Sequence, residues 1–416
     1  LSETLADGNP PALPGASGDD GPALRNPYGM PVFWMVFAAQ LLLWTAQAVL
    51  FRYADFVHVL GGTDVHLGWI VGVGMVGSVV MRLSLGQWLD RYGPRRVWVI
   101  SLVALAGACA AHWMVTDCRG LPIYALRMIF STALAGALGA WTTVIVTRFS
   151  GPRMPEMLSI LGTAGFLGMM LGAHLGDAVY GELEISRAQA DRMFFLAALL
   201  AASGIPLAWG ATRGAKPVAR RRCLPLVPLL ASYHPGRLLL VGVVAGAALT
   251  QPFVFLRPYA AELSIPHIGL FFTVSALTSV ISRLVLRGLD RRLGLPRVIL
   301  CGLGLMVVAQ VLFLVVHAPW QLAVPGLVFG ASQSILSPMV IAAGVLTFPP
   351  RYRGQGSTLI LATFDVGQLA GAPLASTAMA ASAGLGLPRY PALFLSTAVL
   401  LIVVGVFYAR STPSRA

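Results

Sequence analysis

Charge is scarce in this chain. Asp, Glu, Lys and Arg make up 11% of its 416 residues, against about 25% in soluble proteins. With 57% hydrophobic residues and a mean hydropathy of +0.77, a soluble globular domain is excluded. Acids are rarer still, 16 against 29 Lys and Arg, so any acid inside an apolar stretch calls for a reason. The four cysteines, Cys109, Cys118, Cys223 and Cys301, lie in or beside different apolar stretches and loops without metal-ligand spacing, which argues against a disulfide framework and a cysteine-built metal site. The first residues lack the basic start and short apolar core of a signal peptide. Glu3, Asp7, Asp19 and Asp20 stand against Arg25 there, and residues 1–28 read as a disordered cytoplasmic tail. No grouped nucleophiles, acids or metal ligands suggest a membrane enzyme, and no cofactor is expected. The polar residues are isolated in apolar runs, unlike the continuous lining of a channel.

What the chain does have is length in its apolar runs. About 20 residues cross the roughly 30 Å hydrocarbon core of a bilayer. Twelve stretches reach or approach that length, near 31–57, 65–89, 95–116, 121–148, 155–179, 191–211, 236–261, 265–289, 296–317, 321–347, 356–381 and 388–410; they are called spans 1 to 12 here. The expected architecture is all-helical and polytopic, with an N-terminal six-helix bundle over 29–211, a linker over 212–235, a second bundle over 236–411 and a tail over 412–416. The basic residues gather in the loops after spans 2, 4, 6, 8 and 10, while Asp64, Asp117, Glu182, Glu184 and Asp191 collect at the other face. This is the positive-inside pattern. It puts both termini in the cytoplasm and assigns the net charge of +13 to a lipid bilayer rather than to nucleic acid.

The two halves repeat. Gly68 leads to Arg82, Gly86, Asp90, Arg91, Gly93, Arg95 and Arg96, and about 200 residues later Gly269 leads to Arg283, Gly288, Asp290, Arg291, Arg292, Gly294 and Arg297. Gly168, Gly172, Ala173 and Gly176 of span 5 correspond at an offset of 199 to Gly367, Gly371, Ala372 and Ala375 of span 11. Phe51-Arg52-Tyr53 in span 1 is similar to Leu256-Arg257-Pro258-Tyr259 in span 7. Repeated helical halves are a common plan of secondary transporters.

On these motifs the chain resembles the major facilitator superfamily over about residues 30–410. Gly86-Gln87-Trp88-Leu89-Asp90-Arg91-Tyr92-Gly93-Pro94-Arg95-Arg96 looks like its signature between spans 2 and 3, and Arg127 with Ser131 like its span 4 signature. The resemblance implies two pseudo-symmetric bundles, alternating access around a central cavity, and drive by an ion or substrate gradient instead of ATP. It implies gating roles for Gly86, Asp90, Arg91, Gly93, Arg95, Asp290 and Arg291, and a role for Arg127 in proton relay or conformational coupling. Gly168 to Asp177 is similar to the glycine-rich signature of proton-driven exporters, with Ala173 in place of the proline and Asp177 in place of the last glycine. Four-residue glycine spacing also serves as a plain packing ridge, so Gly168 and Gly172 carry both readings.

Five arginines fall inside spans: Arg52, Arg82, Arg127, Arg257 and Arg283. Each costs roughly 2.5–3.5 kcal/mol on insertion scales unless it faces protein or water. Arg82 and Arg283 lie about two turns from the basic loops, within snorkelling reach; Arg283 also resembles the span 8 arginine that contacts carboxylates in monocarboxylate carriers. Arg52 precedes Asp55 by three residues and can pair with it on one helix face. Arg257 has no acid within four residues, so its rigid fork is expected to bind a substrate carboxylate or phosphate, or to form a gating salt bridge.

Gln40, Gln47, Gln251 and Gln333 offer amides to a cavity, with Trp44, Tyr53, Trp141, Phe253, Tyr259 and Phe364 as candidate walls. Asp365 is the acid well inside the second half, where desolvation favours its protonated form. It is the first candidate for the proton site, with Arg127 as its electrostatic regulator and His174 as a further proton carrier; the competing reading is a structural carboxylate hydrogen-bonded to an arginine of span 8 or of the loop beside span 10. The expected activity is secondary transport of a small organic anion or amphipathic metabolite, proton-coupled, by a monomer in the bacterial inner membrane. A multidrug or lipophilic-compound exporter is the alternative, followed by a transport-inactive receptor or assembly factor.

Overall fold

The computed structural model describes residues 30–148, 154–181, 185–213, 232–233, 235–286, 288–349 and 352–410, with side chains at 147, 148, 154–156, 159, 290 and 291 left out. The expected tails, most of the 212–235 linker and the side chains of Asp290 and Arg291 lie outside the described residues. Among those described there is no strand. Nine segments of the described residues are long and apolar enough to cross a membrane. One of them, Asp64–Met114, contains spans 2 and 3, which part at Gly93 (φ 78°, ψ 157°). Met154–Tyr180 and the 17-residue Gly269–Val285 occupy the places of spans 5 and 8.

The two signature turns share one backbone device. Gly294 adopts φ 81°, ψ 148°, nearly the conformation of Gly93, in a region that L side chains with a Cβ avoid. Span 8 ends at Val285, short of the expected 289. Gly288 at φ 78° interrupts it, and a separate short helix, Leu289–Leu293, follows. Span 6 begins earlier than expected, at Arg187, because Ser186 and Gln189 form a reciprocal N-terminal cap.

In the first half, span 1 packs on spans 5 and 6, and spans 2 and 3 pack on spans 4 and 6; in the second, span 7 packs on 11 and 12, span 8 on 10, and span 9 on 10 and 12. The halves meet chiefly where span 2 lies on span 11 and span 5 on span 8. Those two contacts exchange when the halves are interchanged, as a pseudo-two-fold arrangement requires. Glycines set the close approaches. A Cβ on Gly172 would lie 2.6 Å from Ala48 Cβ of span 1, and one on Gly371 2.7 Å from Ala247 Cβ of span 7. The packing reading of the span 5 glycines therefore suffices for this structure.

Span 1 is broken. Pro31–Val49 passes through a 3-10 turn, Leu50–Arg52, before resuming as Tyr53–Val59, and span 7 carries Pro252 and Pro258 inside its helix. Such irregularities mark hinges and functional stretches. Both flank the paired arginines Arg52 and Arg257.

Candidate functional site

Between the halves lies a cavity of about 430 Å³. Its walls include Gln40, Gln47, Trp44, Trp141, Phe130, Phe166, Phe253 and Gln333, and its charged members are Arg82, Arg127, Arg283 and Asp365. Asp365, 2% exposed, accepts hydrogen bonds at one oxygen, Oδ2, from Ser78 Oγ at 2.6 Å and from Arg82 Nε. These bonds run from span 2 to span 11 and so join the two halves within the cavity. The arginine partner of Asp365 comes from span 2, and not from span 8 or the neighbourhood of span 10, because span 2 packs on span 11.

Arg127 does not reach Asp365. Its guanidinium lies 4.9 Å from the centre of the Tyr53 ring and 5.0 Å from that of Phe130, and its Nε has no partner. Arg283 lies 4.7 Å from the Phe166 ring centre. Neither forms an ion pair among the described residues. Buried and unpartnered beside them are both polar atoms of the Gln40 amide, Gln47 Oε1 and Trp141 Nε1. The cavity thus holds three cations against one anion, together with polar atoms that the protein itself leaves unsatisfied.

One end of the cavity is closed in two layers. The first is aromatic: Phe51 of span 1 stacks on Phe272 of span 8 at 4.5 Å and meets Phe253 of span 7 at 5.2 Å. The second is ionic. Asp55 receives Arg52 Nε at 2.6 Å and Arg257 Nε at 2.9 and 3.0 Å; Asp177 of span 5 receives Arg52 Nη1 at 3.4 Å and the backbone N–H groups of Ile268 and Gly269 at 2.9 and 2.7 Å. Four buried charges of balanced sign therefore tie spans 1 and 5 to span 7 and the start of span 8. At the other end, which carries the basic turns, the described residues of spans 4 and 5 pack extensively against neither span 10 nor span 11. Among the described residues the cavity is therefore closed more tightly at the acidic face than at the basic one.

This geometry corrects several expectations. Arg257 and Arg52 are 1% exposed and do not line the cavity; the acid that Arg257 lacks on its own helix is supplied by Asp55 of span 1. Tyr259 donates to the Phe313 carbonyl and packs among Phe313, Tyr390 and Phe394, away from the cavity. Gln251 is buried outside the lining as well. His174 is exposed and contacts Thr273 across the span 5 and span 8 contact, so it has no place in a relay through Asp365. Of the remaining gating candidates, Arg91 is exposed over Tyr92, Arg95 stacks at 3.7 Å on Trp209, and Asp90 has no ion pair among the described residues. Gly86 is exposed on the same stretch.

A family model for the Major Facilitator Superfamily matches residues 32–262 and 238–416. The chain belongs to this superfamily. Among curated proteins it is 23% identical to multidrug resistance protein MdtG of Enterobacter lignolyticus over 375 residues, covering 86% of each chain. It is 25% identical over 187 residues to an uncharacterized MFS-type transporter, YuxJ, of Bacillus subtilis, spanning 45% of that protein. Similar solved folds include the nucleoside transporter NupG (TM-score 0.75, 14% identity, 92% and 99% of the two chains). A bacterial homolog of the human lysosomal transporter Spinster, inward-facing and unoccupied, gives a TM-score of 0.71 at 12% identity, with 92% and 97% covered. The human organic anion transporter MFSD10 gives 0.62 at 18%, with 91% and 98% covered. The chain is thus an integral membrane transporter of the superfamily, working by alternating access, and a transporter rather than an enzyme.

Sequence reasoning misses Asp177 as a member of the ionic layer and reads it only as a departure from a glycine signature. An acid at the end of an apolar helix, where the scarcity of acids makes each one costly, was the available signal.

Proposed function

We propose that this transporter carries small organic anions or negatively charged amphipathic metabolites, coupled to protons, in the bacterial inner membrane. The basic-loop face would lie in the cytoplasm and the cavity would face inward in the present state. The monomer, driven by an ion gradient without a bound cofactor or nucleic-acid partner, suffices for this cycle. One observation carries the anion reading: Arg127 and Arg283 line the cavity without a carboxylate partner among the described residues. A buried guanidinium left without a counter-ion is costly, and a bound anion removes that cost. The unsatisfied amides of Gln40 and Gln47 add donors and acceptors, and the aromatic walls suit an apolar body.

Proton coupling centres on Asp365. Protonation of a carboxylate that accepts from Arg82 weakens a bond between the halves, and the bound proton is exchanged as that bond reforms. A thermal-shift screen of the purified protein against carboxylates, phosphates, sugars and hydrophobic cations tests the class. Anions are expected to stabilise the protein; stabilisation by hydrophobic cations alone would reject this reading in favour of lipophilic-compound export. That second reading draws on the likeness to MdtG and on the apolar, aromatic part of the lining.

A further inference from the structure

Asp177 is buried where the first half touches the start of span 8. Its Oδ2 accepts the backbone N–H groups of Ile268 and Gly269 at 2.9 and 2.7 Å, and its Oδ1 accepts Arg52 Nη1 at 3.4 Å. The carboxylate therefore serves two tasks at once. It caps a helix of the second half, whose N-terminal dipole favours negative charge, and it balances an arginine of the first. Both tasks depend on its charge.

The charged and titratable groups around it are Arg52 and Asp55 of span 1, His174 and Tyr180 of span 5, Arg257 of span 7 and His267 just before span 8, with Asp191 of span 6 beyond Tyr180. Arg52 and Arg257 are balanced by Asp55 and Asp177, yet Arg52 Nη2 and Arg257 Nη2 are already buried without partners. Neutralising Asp177 leaves Asp55 as the counter-ion of both arginines, and a buried guanidinium short of a counter-ion is costly. The acid also lies close to outside water. His174, three residues before it on span 5, is exposed, and a Cβ on Gly269 would lie 2.6 Å from His174 Nδ1 and 3.1 Å from Asp177 Oδ2. Glycine at 269 thus lets an exposed imidazole and a buried carboxylate meet the same stretch of backbone.

We propose that Asp177 is a proton-binding site of its own, filled from the acidic face, and that the bound proton releases the ionic layer and opens that end of the cavity. A proton from outside water passes His174 and comes to rest on Oδ1, the oxygen with the single long bond. Arg52 then loses one of its two carboxylate acceptors, and the span 8 cap keeps only a neutral oxygen, a weaker acceptor than a charged one. The site is separate from Asp365, which lies in the cavity wall between spans 2 and 11, so each carboxylate can be tested with the other intact.

Amide hydrogen–deuterium exchange of the purified full chain tests this without a substrate. Exchange, corrected for its intrinsic dependence on pH, is followed over residues 265–273 and 50–57 from about pH 8 to about pH 4, across the ordinary ranges of histidine and carboxylate. In wild type both segments are expected to exchange about ten-fold or more faster on acidification, the scale of a lost charge-assisted hydrogen bond. Asp177→Asn, which holds the neutral state, is expected to exchange fast at every pH, whereas Asp365→Asn keeps the wild-type profile. A wild type with a flat profile overturns the proposal, as does an Asp177→Asn protein that keeps the pH dependence. Loss of the dependence in His174→Gln, His267→Gln or Asp365→Asn also overturns it, by making that residue the titrating group. If Asp177→Asn does not fold, Asp177→Glu carries the test: a carboxylate one methylene longer is expected to move the midpoint of the profile, and an unchanged midpoint rejects Asp177 as the proton site.

Discussion

Asp55 and Arg257 lie 202 residues apart in sequence and 2.9 Å apart in space. The carboxylate belongs to the first half and the guanidinium to the second, so their bond holds the halves together at the closed end of the cavity. Asp55 also accepts from Arg52, which leaves Arg52 and Arg257 dependent on one small acid. Asp55 and Asp177 together supply the two negative charges that balance Arg52 and Arg257 at this end.

Asp55→Asn removes the shared counter-ion and leaves two buried guanidiniums with Asp177 alone. Breaking a buried pair from one side costs about 3–5 kcal/mol. The expected result is an opened gate: single cysteines placed at Phe51 or Phe272 become reactive to a membrane-impermeant thiol reagent added from the acidic face. Unaltered protection of both positions would show that the aromatic layer closes the end without the charges.

Arg257→Gln has a different expected outcome from the one its sequence suggests. Because Arg257 bonds to Asp55 and to the carbonyls of Ile265 and Pro266 outside the cavity, it should slow the cycle while leaving anion binding to the purified protein within about two-fold, the scale of a site without direct contact. A loss of binding as large as that of Arg283→Gln would return Arg257 to the substrate site.

The all-helical, membrane-spanning plan and the arginines inside it were legible in the sequence because each follows from local pattern: the length of apolar runs and the cost of charge in lipid. Pairings between the halves were not. Arg257 lacks an acid within four residues, and local reasoning treats that as a free fork. The acid comes instead from span 1, brought in by a fold contact with no sequence proximity. The same blindness applies to Asp365, whose partners Ser78 and Arg82 lie 287 and 283 residues away.

Gly172 tests the helix contact between spans 1 and 5. A Cβ there would lie 2.6 Å from Ala48 Cβ and 2.9 Å from the Val49 nitrogen, so Gly172→Ala forces the helices apart at a cost of about 1–3 kcal/mol. Gly107→Ala, where a Cβ meets nothing within 4 Å, is the matched control and should be neutral or slightly stabilising in a helix. Equal melting temperatures for the two variants would argue against the glycine ridge as a packing device.

Asp365→Asn should abolish accumulation driven by a pH gradient in proteoliposomes while preserving exchange of substrate down its own gradient. The amide cannot take up and release the proton, but it can still hydrogen-bond Ser78. Coupling and affinity are separable quantities, so binding survives. Normal proton-driven accumulation would exclude Asp365 as the proton site and point to another carrier ion.

Arg127 separates substrate recognition from proton coupling. It is 9% exposed, lines the cavity, stacks near Tyr53 and Phe130, and has an unpartnered Nε, but it makes no bond to Asp365. A substrate ligand at this position must present a directed donor, whereas an electrostatic regulator needs only positive charge. Arg127→Lys keeps the charge and loses the planar fork, and Arg127→Gln loses the charge. If Arg127 holds the anion, both variants weaken binding, each by about ten-fold or more for a lost charge-assisted hydrogen bond, and both slow substrate exchange even without a pH gradient. If it only biases Asp365, Arg127→Lys exchanges substrate normally and Arg127→Gln changes the pH dependence alone. The first outcome is expected, since Arg127 lines the cavity beside Gln40 and Gln47, whose hydrogen-bonding capacity is also unmet.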